Sequence, residues 1–386
     1  MMKHCWEIKK LGEVCEIVGG STPKTNESSC WDGEHFWVTP AELDGAKYIS
    51  STSRKITDEG VKLAHLQLLP SGTVLLSSRA PIGKVAITKI PMYCNQGFKN
   101  LVCSNKLNNE YAYWFLYHNT EYLNSLGTGA TFKEISKRVV EQIPIPVPPI
   151  SEQEHIVAEL DLLSGVIEKK RLQLKELDNL AQSIFYDMFG DPVGNDKGWN
   201  IVKFADGCVE IGDGLHGTPN YDVEGTIPFI NGTNLIDGRI IVTDRTLFVN
   251  ETEAMKYRVK MDTNTVLLSI NGTLGKTAIY QDENVILGKS ACFCRLKKEY
   301  FNVVFVERLM NTDYFKKFLE ENSSKSTIKN VGLKTIRNYK IVVPSLFLQQ
   351  EFAEKIEAIE KQKELIKQSL AETETLFNSR MEYYFN

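Results

Sequence analysis

The segment of the sequence that comes nearest to a catalytic motif is Gly272–Thr277, which reads Gly-Thr-Leu-Gly-Lys-Thr. It resembles the end of a phosphate-binding loop, in which backbone amides cradle phosphate groups while a lysine and a hydroxyl contact the phosphates and a magnesium ion. That motif requires an earlier glycine at the position where this chain has Ile270. A matching segment at residues 83–85 reads Gly-Lys-Val and lacks the hydroxyl. We therefore predict a strand-turn-strand corner at both places.

Other patterns typical of catalysis or metal binding are missing from the sequence. A DNA-base methyltransferase would need Asn/Asp-Pro-Pro-aromatic, and the single Pro-Pro pair, Pro148-Pro149, lies between Val147 and Ile150. The 8 cysteines and 6 histidines are scattered, without the spacing of a zinc site or of a catalytic triad. We therefore predict a chain with no catalytic residues, no metal and no cofactor.

The segments that would position any functional side chain occur twice. Thr-Val-Leu-Leu-Ser at 73–77, followed by Gly-Lys-x-Ala-Ile at 83–87, recurs at 265–269 and 275–279. Four further segments, at 6–10, 33–43, 119–122 and 145–153, match 199–203, 225–235, 311–314 and 341–349. Ordered matches at nearly constant separation indicate a tandem duplication.

Each copy has the same predicted organisation. Short β-like runs separated by Gly, Pro, Asn and Ser predict a mixed α/β domain at 1–150 and a second at 191–345. A long helix follows each domain, at 151–190 and 346–386, with apolar residues spaced alternately by three and four. Lys170, Lys363 and Thr373 interrupt these apolar seams. The fold class predicted is α+β: two mixed α/β domains in a tandem pseudo-two-fold repeat, separated by an antiparallel coiled coil of the two helices.

The charge is unevenly distributed between domains and helices. The whole chain has a formal net charge of −4, but the first domain is +2, the second is +1, and the two helical segments together hold −7. A surface that faces phosphate groups would therefore lie on the domains. The scattered cysteines indicate free thiols and a cytoplasmic protein, and no apolar run is long enough to span a membrane.

Five further motifs lie along the chain: Gly20-Ser-Thr-Pro23, Gly129-Ala130-Thr131, Ile143–Pro149, Glu152-Gln153 and Ser183–Asp191. With these motifs the sequence resembles the specificity subunit of type I restriction-modification systems, over essentially the whole chain. The resemblance implies two target-recognition domains, each reading half of a bipartite double-stranded DNA site. It also implies two helical regions that dock two methyltransferase subunits, with nuclease-translocase subunits added outside.

The second copy departs from these motifs. It reads Gly217-Thr-Pro219, with Leu215 and His216 at the positions aligned with Gly20 and Ser21, and it keeps Pro344 alone of the proline cluster. Leu348-Gln349 replaces Glu152-Gln153.

Candidate DNA-binding residues are polar or cationic side chains in the segments between the repeated motifs, because such groups read base edges or hold phosphates. The candidates are Lys24, Arg79, Lys84, Gln96, Lys133, His216, Asn231, Asn271, Lys276, Lys289 and Lys329. Lys84 and Lys276 occupy matching positions and predict a shared phosphate contact. Arg79 and Asn271 also match but differ in type, as expected if the two domains read different bases.

Acidic residues beside the helical seams are candidates for contacts with partner subunits: Glu154, Glu159, Glu168, Glu351, Glu354 and Glu357. Two alternatives remain open. One is a scaffold that uses its coiled coil to pair other proteins, and the other is a specificity subunit of a methylation-only complex.

Overall fold

The structure, a computed structural model, describes residues 6–79, 81–129 and 133–386 and divides into two compact units. Unit 1 holds the described residues up to Arg171 together with Gln368–Asn386, and unit 2 holds Leu172–Lys367. Each unit therefore contains one mixed domain and a part of both long helices. Ala130 and Thr131 of the predicted Gly-Ala-Thr motif lie outside the described residues.

In unit 1 the strands are β1 (Glu7–Lys10), β2 (Cys15–Gly19), β3 (Trp31–Val38), β4 (Tyr48–Ile49), β5 (Arg54–Ile56), β6 (Val74–Leu76), β7 (Val85–Thr88), β8 (Tyr93–Cys94), β9 (Lys99–Cys103) and β10 (Pro144–Val147). The helices are α1 (Leu11–Val14), α2 (Asp58–Leu63), α3 (Asn109–His118), α4 (Thr120–Ser125), α5 (Lys137–Glu141) and the long α6 (Ile150–Phe189), which continues into unit 2.

In unit 2 the strands are β11 (Asn200–Lys203), β12 (Cys208–Asp213), β13 (Ile227–Ile230), β14 (Leu235–Ile236), β15 (Arg239–Ile240), β16 (Leu247–Val249), β17 (Thr265–Ser269), β18 (Thr277–Ile279), β19 (Ile286–Leu287), β20 (Ala291–Leu296) and β21 (Lys340–Val343). The helices are α7 (Glu251–Tyr257), α8 (Val303–Met310), α9 (Asp313–Glu321), α10 (Leu333–Asn338) and the long α11 (Leu346–Phe385), which ends in unit 1.

The sheets confirm the duplication. Unit 1 has a main sheet in the order β2-β9-β6-β7-β4, and unit 2 has β12-β20-β17-β18. A second sheet follows the same plan in both units, β5-β3-β8 and β16-β13-β19, with one antiparallel and one parallel pairing. The first strand of each copy pairs with its last, as β1 with β10 and β11 with β21. The predicted mixed α/β architecture is therefore present twice.

The repeated Val-Leu-Leu run explains how each domain builds its core. Val74 and Leu76 point to one side of the main sheet, into a cluster with the aromatic residues of α3, while Leu75 enters a separate cluster with Phe98. In unit 2, Val266 and Leu268 are likewise separated from Leu267. Successive residues of a strand face opposite sides, so a continuous apolar run marks a strand that is covered on both faces.

A buried glutamine holds the start of each long helix. The side chain of Gln153 accepts a hydrogen bond from the backbone N of Asn108 at 2.8 Å. Its amide nitrogen donates to the carbonyl oxygens of Pro148 at 2.8 Å and Lys106 at 3.1 Å. Gln153 is 0% exposed, so a buried side chain makes all three bonds. The polar groups of a chain turning from a strand into a helix are thereby satisfied.

The same arrangement occurs in unit 2. Gln349, also 0% exposed, accepts from the backbone N of Asn302 at 2.8 Å. It donates to the carbonyl oxygens of Tyr300 at 3.0 Å and Pro344 at 2.9 Å. The matched glutamines of the sequence repeat are therefore equivalent structural anchors between domain and helix.

In unit 1 the two long helices pack antiparallel, as predicted. Lys170 Nζ of α6 donates to the carbonyl oxygen of Ser369 at 2.8 Å and to the Thr373 hydroxyl at 2.7 Å, both on α11. Farther along, Arg380 of α11 pairs with Glu159 of α6 at 2.6 Å. The polar interruptions of the predicted seam are thus contacts between the helices, and a polar residue in an apolar seam favours a single register.

In unit 2 the antiparallel packing continues, with Lys363 Nζ 2.7 Å from Asp178 and 3.0 Å from Glu360. The seam predicted for α6 ends on Ile184 and Met188, but the fully buried residues at this end of the helix are Phe185 and Phe189, while Ile184 and Met188 are half-buried. A helix has 3.6 residues per turn, so the buried face drifts against a 3.5-residue repeat. Phe185 stacks on Phe305 of α8, and Phe189 contacts the same ring edge-to-face.

Among the described residues no helix is both long enough and apolar enough to cross a membrane.

Candidate nucleic-acid interface

In unit 1 four loops meet at one edge of the main sheet. We call them loop cluster 1, comprising residues 20–24, 77–79, 95–98 and 133–135. Backbone hydrogen bonds join them: Ser78 N donates to Gly97 O at 2.7 Å, and Ile135 N donates to Ser78 O at 2.9 Å. Ser21 N donates to Cys94 O at 3.1 Å. Four of the predicted DNA-binding residues, Lys24, Arg79, Gln96 and Lys133, are brought together here, and all are exposed.

Unit 2 has an equivalent group of loops, which we call loop cluster 2, comprising residues 214–217, 231–232, 270–272, 288–290 and 328–331. Ile270 N donates to Ser290 O at 3.0 Å, and Val331 N donates to Ile270 O at 2.9 Å. These bonds repeat those of Ser78 and Ile135 in loop cluster 1. The cluster gathers five predicted residues: His216, Asn231, Asn271, Lys289 and Lys329.

Two tryptophans fix the first loop of loop cluster 1. The indole nitrogen of Trp31 donates to the carbonyl oxygen of Lys24 at 3.0 Å, and that of Trp37 donates to the carbonyl oxygen of Ser21 at 3.1 Å. The two rings are edge-to-face, with centroids 5.1 Å apart. Loop 20–24 is therefore preorganised, while the Lys24 side chain stays 80% exposed.

Equivalent glycines begin the first loop of both clusters. An added Cβ at Gly20 would lie 2.2 Å from the carbonyl oxygens of Cys94 and Asn95, and one at Gly214 would lie 2.1 Å from that of Leu287. The predicted alignment, which placed Leu215 and His216 opposite Gly20 and Ser21, is therefore wrong. A β-bulge between Cys208 and Glu210 adds one residue to β12 and shifts the register.

The side chain of Arg79 is held by an acidic neighbour that the sequence analysis missed. Arg79 Nε donates to a carboxylate oxygen of Glu134 at 3.0 Å, and Lys99 Nζ lies 3.4 Å from the other oxygen. Partial burial acts to raise the pKa of Glu134, but the two cations outweigh it and hold the pKa below its ordinary value. The carboxylate therefore remains charged beside Arg79. Its position next to Lys133 was the signal available in the sequence.

Other predicted residues have local partners. Gln96 accepts a hydrogen bond from the Thr22 hydroxyl. His216 lies 2.6 Å from Asp213, and its side chain is 70% exposed. Asn231 accepts from the Ser290 hydroxyl at 3.0 Å, which joins two loops of loop cluster 2.

Lys84 and Lys276 do not belong to the loop clusters. Lys84 Nζ donates to the carbonyl oxygens of Leu43 at 2.8 Å and Pro40 at 3.3 Å, so its ammonium group is bound within its own domain. Lys276 lines a cavity of about 730 Å³ in unit 2, beside Glu307 and Lys316. The strand-turn-strand prediction at Gly272–Thr277 is confirmed, because this segment joins β17 to β18. The Thr277 hydroxyl donates to Glu307 at 2.8 Å.

The candidate docking acids differ in their surroundings. Glu154 and Glu168 are exposed and form no ion pair within residues 6–79, 81–129 and 133–386. Glu354 accepts from Gln350 at 3.3 Å, while Glu351 and Glu357 pair with Lys355 and Lys361 one turn along α11. Glu159 is the exception, since its carboxylate binds Arg380 and Tyr384 inside unit 1.

Acid should weaken the Glu159 contact. The hydrogen bond from Arg380 is the main reason that the pKa of Glu159 lies below its ordinary value, and Tyr384 adds to it against partial desolvation. A carboxyl whose pKa is depressed by folding stabilises the protein above its unfolded-state pKa, about 4.3. This contribution is lost as the pH falls through the folded-state value. We expect Glu159→Gln to be less stable than the unsubstituted protein at pH 7, with a difference that shrinks towards pH 3 in chemical denaturation.

The matched control for this prediction is Glu154→Gln, which changes an exposed acid on the same helix. It should alter the free energy of unfolding at pH 7 by less than about 0.5 kcal/mol, because Glu154 is exposed and forms no ion pair among the described residues. A difference between Glu159→Gln and the unsubstituted protein that stays constant from pH 7 to pH 3 would contradict the titration of this carboxyl.

Nothing in the described part of the chain groups three or more His, Cys, Asp or Glu side chains in a way that could hold a metal ion. The chemistry of the two loop clusters is that of hydrogen-bond donors and acceptors and of cationic groups, which suits the recognition of nucleic-acid edges and phosphates.

A duplicated mixed domain with a long helix after each copy, and a loop cluster on each domain, defines a tandem-repeat protein of two similar units. The family model described as "Type I restriction modification DNA specificity domain" matches residues 4–177 and again 197–375. The chain belongs to the family of type I restriction-modification specificity subunits.

Two relatives agree with this assignment, and one solved structure has the same fold. The type I restriction enzyme MjaIX specificity subunit of Methanocaldococcus jannaschii is 34% identical over 276 residues, covering 66% of this chain and 63% of that protein. The chain thus spans less than two thirds of that relative's length. The MjaVIII specificity subunit of the same organism is 24% identical over 379 residues, covering 92% and 86%. The crystal structure of a type I S subunit from M. genitalium superimposes with a TM-score of 0.61 at 15% identity, covering 100% of this chain and 97% of that one.

Proposed function

We propose that this chain is the non-catalytic DNA-recognition subunit of a type I restriction-modification complex. Each domain reads one half of a bipartite site in double-stranded DNA through its loop cluster. The chain needs no cofactor for this task, because recognition uses hydrogen bonds and charge alone.

The observation that carries the proposal is that loop clusters 1 and 2 have the same backbone framework. Matching backbone hydrogen bonds build the two frames, but the exposed side chains on them differ. Arg79 and Lys24 lie on loop cluster 1, whereas Asn271 and His216 lie on loop cluster 2. A shared frame with different polar groups suits the reading of two different sequences, because the pattern of donors and acceptors distinguishes base pairs in the major groove.

We further propose that helices α6 and α11 dock two methyltransferase subunits, with nuclease-translocase subunits bound outside them. The exposed Glu154, Glu168 and Glu354 are the acids best placed for such contacts, because they have no cationic partner among the described residues. Glu351 and Glu357 would have to exchange an exposed intrahelical ion pair, which contributes little stability.

Methylated adenines should be sequenced in the host with and without this gene. We expect one bipartite methylated motif to disappear when the gene is deleted. An unchanged methylation pattern contradicts the proposal and favours a protein-interaction scaffold. Loss of methylation without any restriction of unmodified DNA in the intact host indicates a methylation-only complex.

Arg79→Ala should weaken binding at one half-site only. A bidentate contact from arginine to a base is worth about 1–3 kcal/mol, so the affinity for that half should fall on the order of 10-fold to 100-fold. The measurement is equilibrium binding to duplexes in which one half of the methylated motif or the other is scrambled. Asn271→Ala is the matched variant in unit 2 and should affect the opposite half. Equal losses at both halves, or no loss, would overturn the assignment of one domain to each half.

A further inference from the structure

At one pair of equivalent positions the two loop clusters carry different side chains. Arg79 and Glu134 are backbone partners in an isolated antiparallel bridge in unit 1. Asn271 and Asn330 are partners in the equivalent bridge of unit 2. The equivalence follows from the hydrogen bonds on either side, since Ser78 with Ile135 and Ile270 with Val331 are joined in the same way. One copy therefore presents arginine with glutamate where the other presents two asparagines.

The ion pair in unit 1 orients the guanidinium group. Glu134 accepts the hydrogen bond from Arg79 Nε, and the two terminal nitrogens form no hydrogen bond within the described residues. The Arg79 side chain is 45% exposed and that of Glu134 is 36% exposed. The planar guanidinium thus keeps two parallel donors for an outside acceptor, while the carboxylate restricts its rotation.

The asparagine pair in unit 2 offers a different set of hydrogen-bond donors and acceptors. Asn271 and Asn330 form no side-chain hydrogen bond to other described residues, and neither carries a charge. A carboxamide offers one acceptor and two donors. It can donate and accept at the same time, which the guanidinium group cannot.

We propose that the Arg79–Glu134 pair selects guanine in the half-site read by unit 1, and that Asn271 selects adenine at the corresponding position of the half-site read by unit 2. This inference rests on the proposed function. Guanine presents two acceptors, N7 and O6, which match the two terminal donors of Arg79. Adenine presents the acceptor N7 beside the donor N6, which match the carboxamide of Asn271. Glu134 is a positioning residue that acts through Arg79.

A plain phosphate contact from Arg79 would leave a different signature. Phosphate contacts position the protein without sequence information, so their loss lowers affinity for all sequences alike. Base selection instead changes which base is preferred at one position. Variants in which one unit receives the side-chain pair of the other therefore distinguish a phosphate contact from base selection.

The test is selection of bound duplexes from a random pool by the full-length chain, followed by sequencing. The double variant Arg79→Asn with Glu134→Asn gives unit 1 the pair of unit 2. At one position of one half-site, we expect the preferred base to change from guanine to adenine, with a reversal of preference on the order of 10-fold to 100-fold. The other half-site should be unchanged. The reciprocal variant, Asn271→Arg with Asn330→Glu, should change adenine to guanine in the opposite half.

Two conservative variants test the same idea with less disturbance of the fold. Arg79→Lys keeps the charge but removes the paired donors, so it should reduce the preference for guanine while total DNA affinity stays within a few-fold. Glu134→Gln should reduce the same preference without changing the base. Far-ultraviolet circular dichroism and the thermal unfolding midpoint show whether each variant is folded.

The outcomes separate this inference from the proposed function. If the unsubstituted chain enriches no sequence, the proposed function itself fails. Suppose that it enriches a bipartite sequence, that the double variant keeps the same preferred base at every position, and that Arg79→Lys keeps the same strength of preference. Only the present inference is then overturned. A uniform loss of affinity with unchanged preferences identifies Arg79 as a phosphate contact and also overturns it.

Discussion

Replacing Gln153 by methionine is expected to lower the free energy of unfolding by about 3 kcal/mol, since each buried group left without a partner costs about 1–3 kcal/mol. Methionine has nearly the volume of glutamine, so little of the loss would come from a cavity. The substitution leaves the backbone N of Asn108 and the carbonyl oxygens of Pro148 and Lys106 without their partner. Gln153 itself is 0% exposed, so a buried side chain makes these three bonds.

The measurement is denaturation by urea of the full chain, followed by circular dichroism. Gln349→Met removes the equivalent contacts in unit 2 and should cost a similar amount. The matched control is Glu154→Met, which changes the exposed residue beside Gln153 and should alter stability by less than about 0.5 kcal/mol. A loss of less than about 1 kcal/mol for both glutamine variants would contradict the anchoring role.

The sequence predicted the framework of this protein because the framework depends on local patterns and on repetition. The Val-Leu-Leu runs predicted strands, and Val74 and Val266 lie in strands that are buried on both faces. The apolar spacing predicted two long helices, which the structure bounds at Ile150–Phe189 and Leu346–Phe385. Even the polar interruptions were informative, since Lys170 and Lys363 make contacts between the helices.

The surroundings of single side chains were harder to predict because their partners lie far away in the chain. The ammonium group of Lys84 is bound by carbonyl oxygens more than 40 residues earlier, and Glu159 binds Arg380 at a separation of 221 residues. A charged residue in a repeated motif has no visible partner in the sequence. Its role depends on which distant backbone or side chain the fold brings next to it.

The alignment of the two copies failed where a local irregularity changed the register. The bulge in β12 inserts a residue that has no counterpart in β2, and two further residues precede Thr218-Pro219. The sequence therefore placed Leu215 and His216 opposite Gly20 and Ser21. The close approach of Gly214 to Leu287 identifies the true equivalent, because in both copies the strand end passes against backbone that leaves no space for a side chain.

Gly20→Ala is expected to impair DNA recognition by unit 1 while leaving unit 2 intact. The added methyl group would meet two carbonyl oxygens at 2.2 Å, so the backbone must move. The first segment to shift would be loop 20–24, which carries Lys24. Overpacking of this kind costs about 1–3 kcal/mol, and we expect a loss of affinity of at least about 10-fold at one half-site. Gly214→Ala, with an approach of 2.1 Å to Leu287, should do the same at the other half-site.

Gly19→Ala provides the matched control, because an added Cβ at this neighbouring position has its nearest atom at 3.9 Å. It should bind both half-sites like the unsubstituted protein. Binding is measured with the same pair of half-scrambled duplexes used for Arg79→Ala, and thermal unfolding is followed in parallel. Because a shifted loop changes the position of its side chains before it unfolds the domain, the loss of affinity should be seen at a temperature at which the variant is still folded. Unchanged binding of Gly20→Ala at both half-sites would show that loop 20–24 takes no part in recognition, and would leave residues 77–79, 95–98 and 133–135 as the reading surface of unit 1.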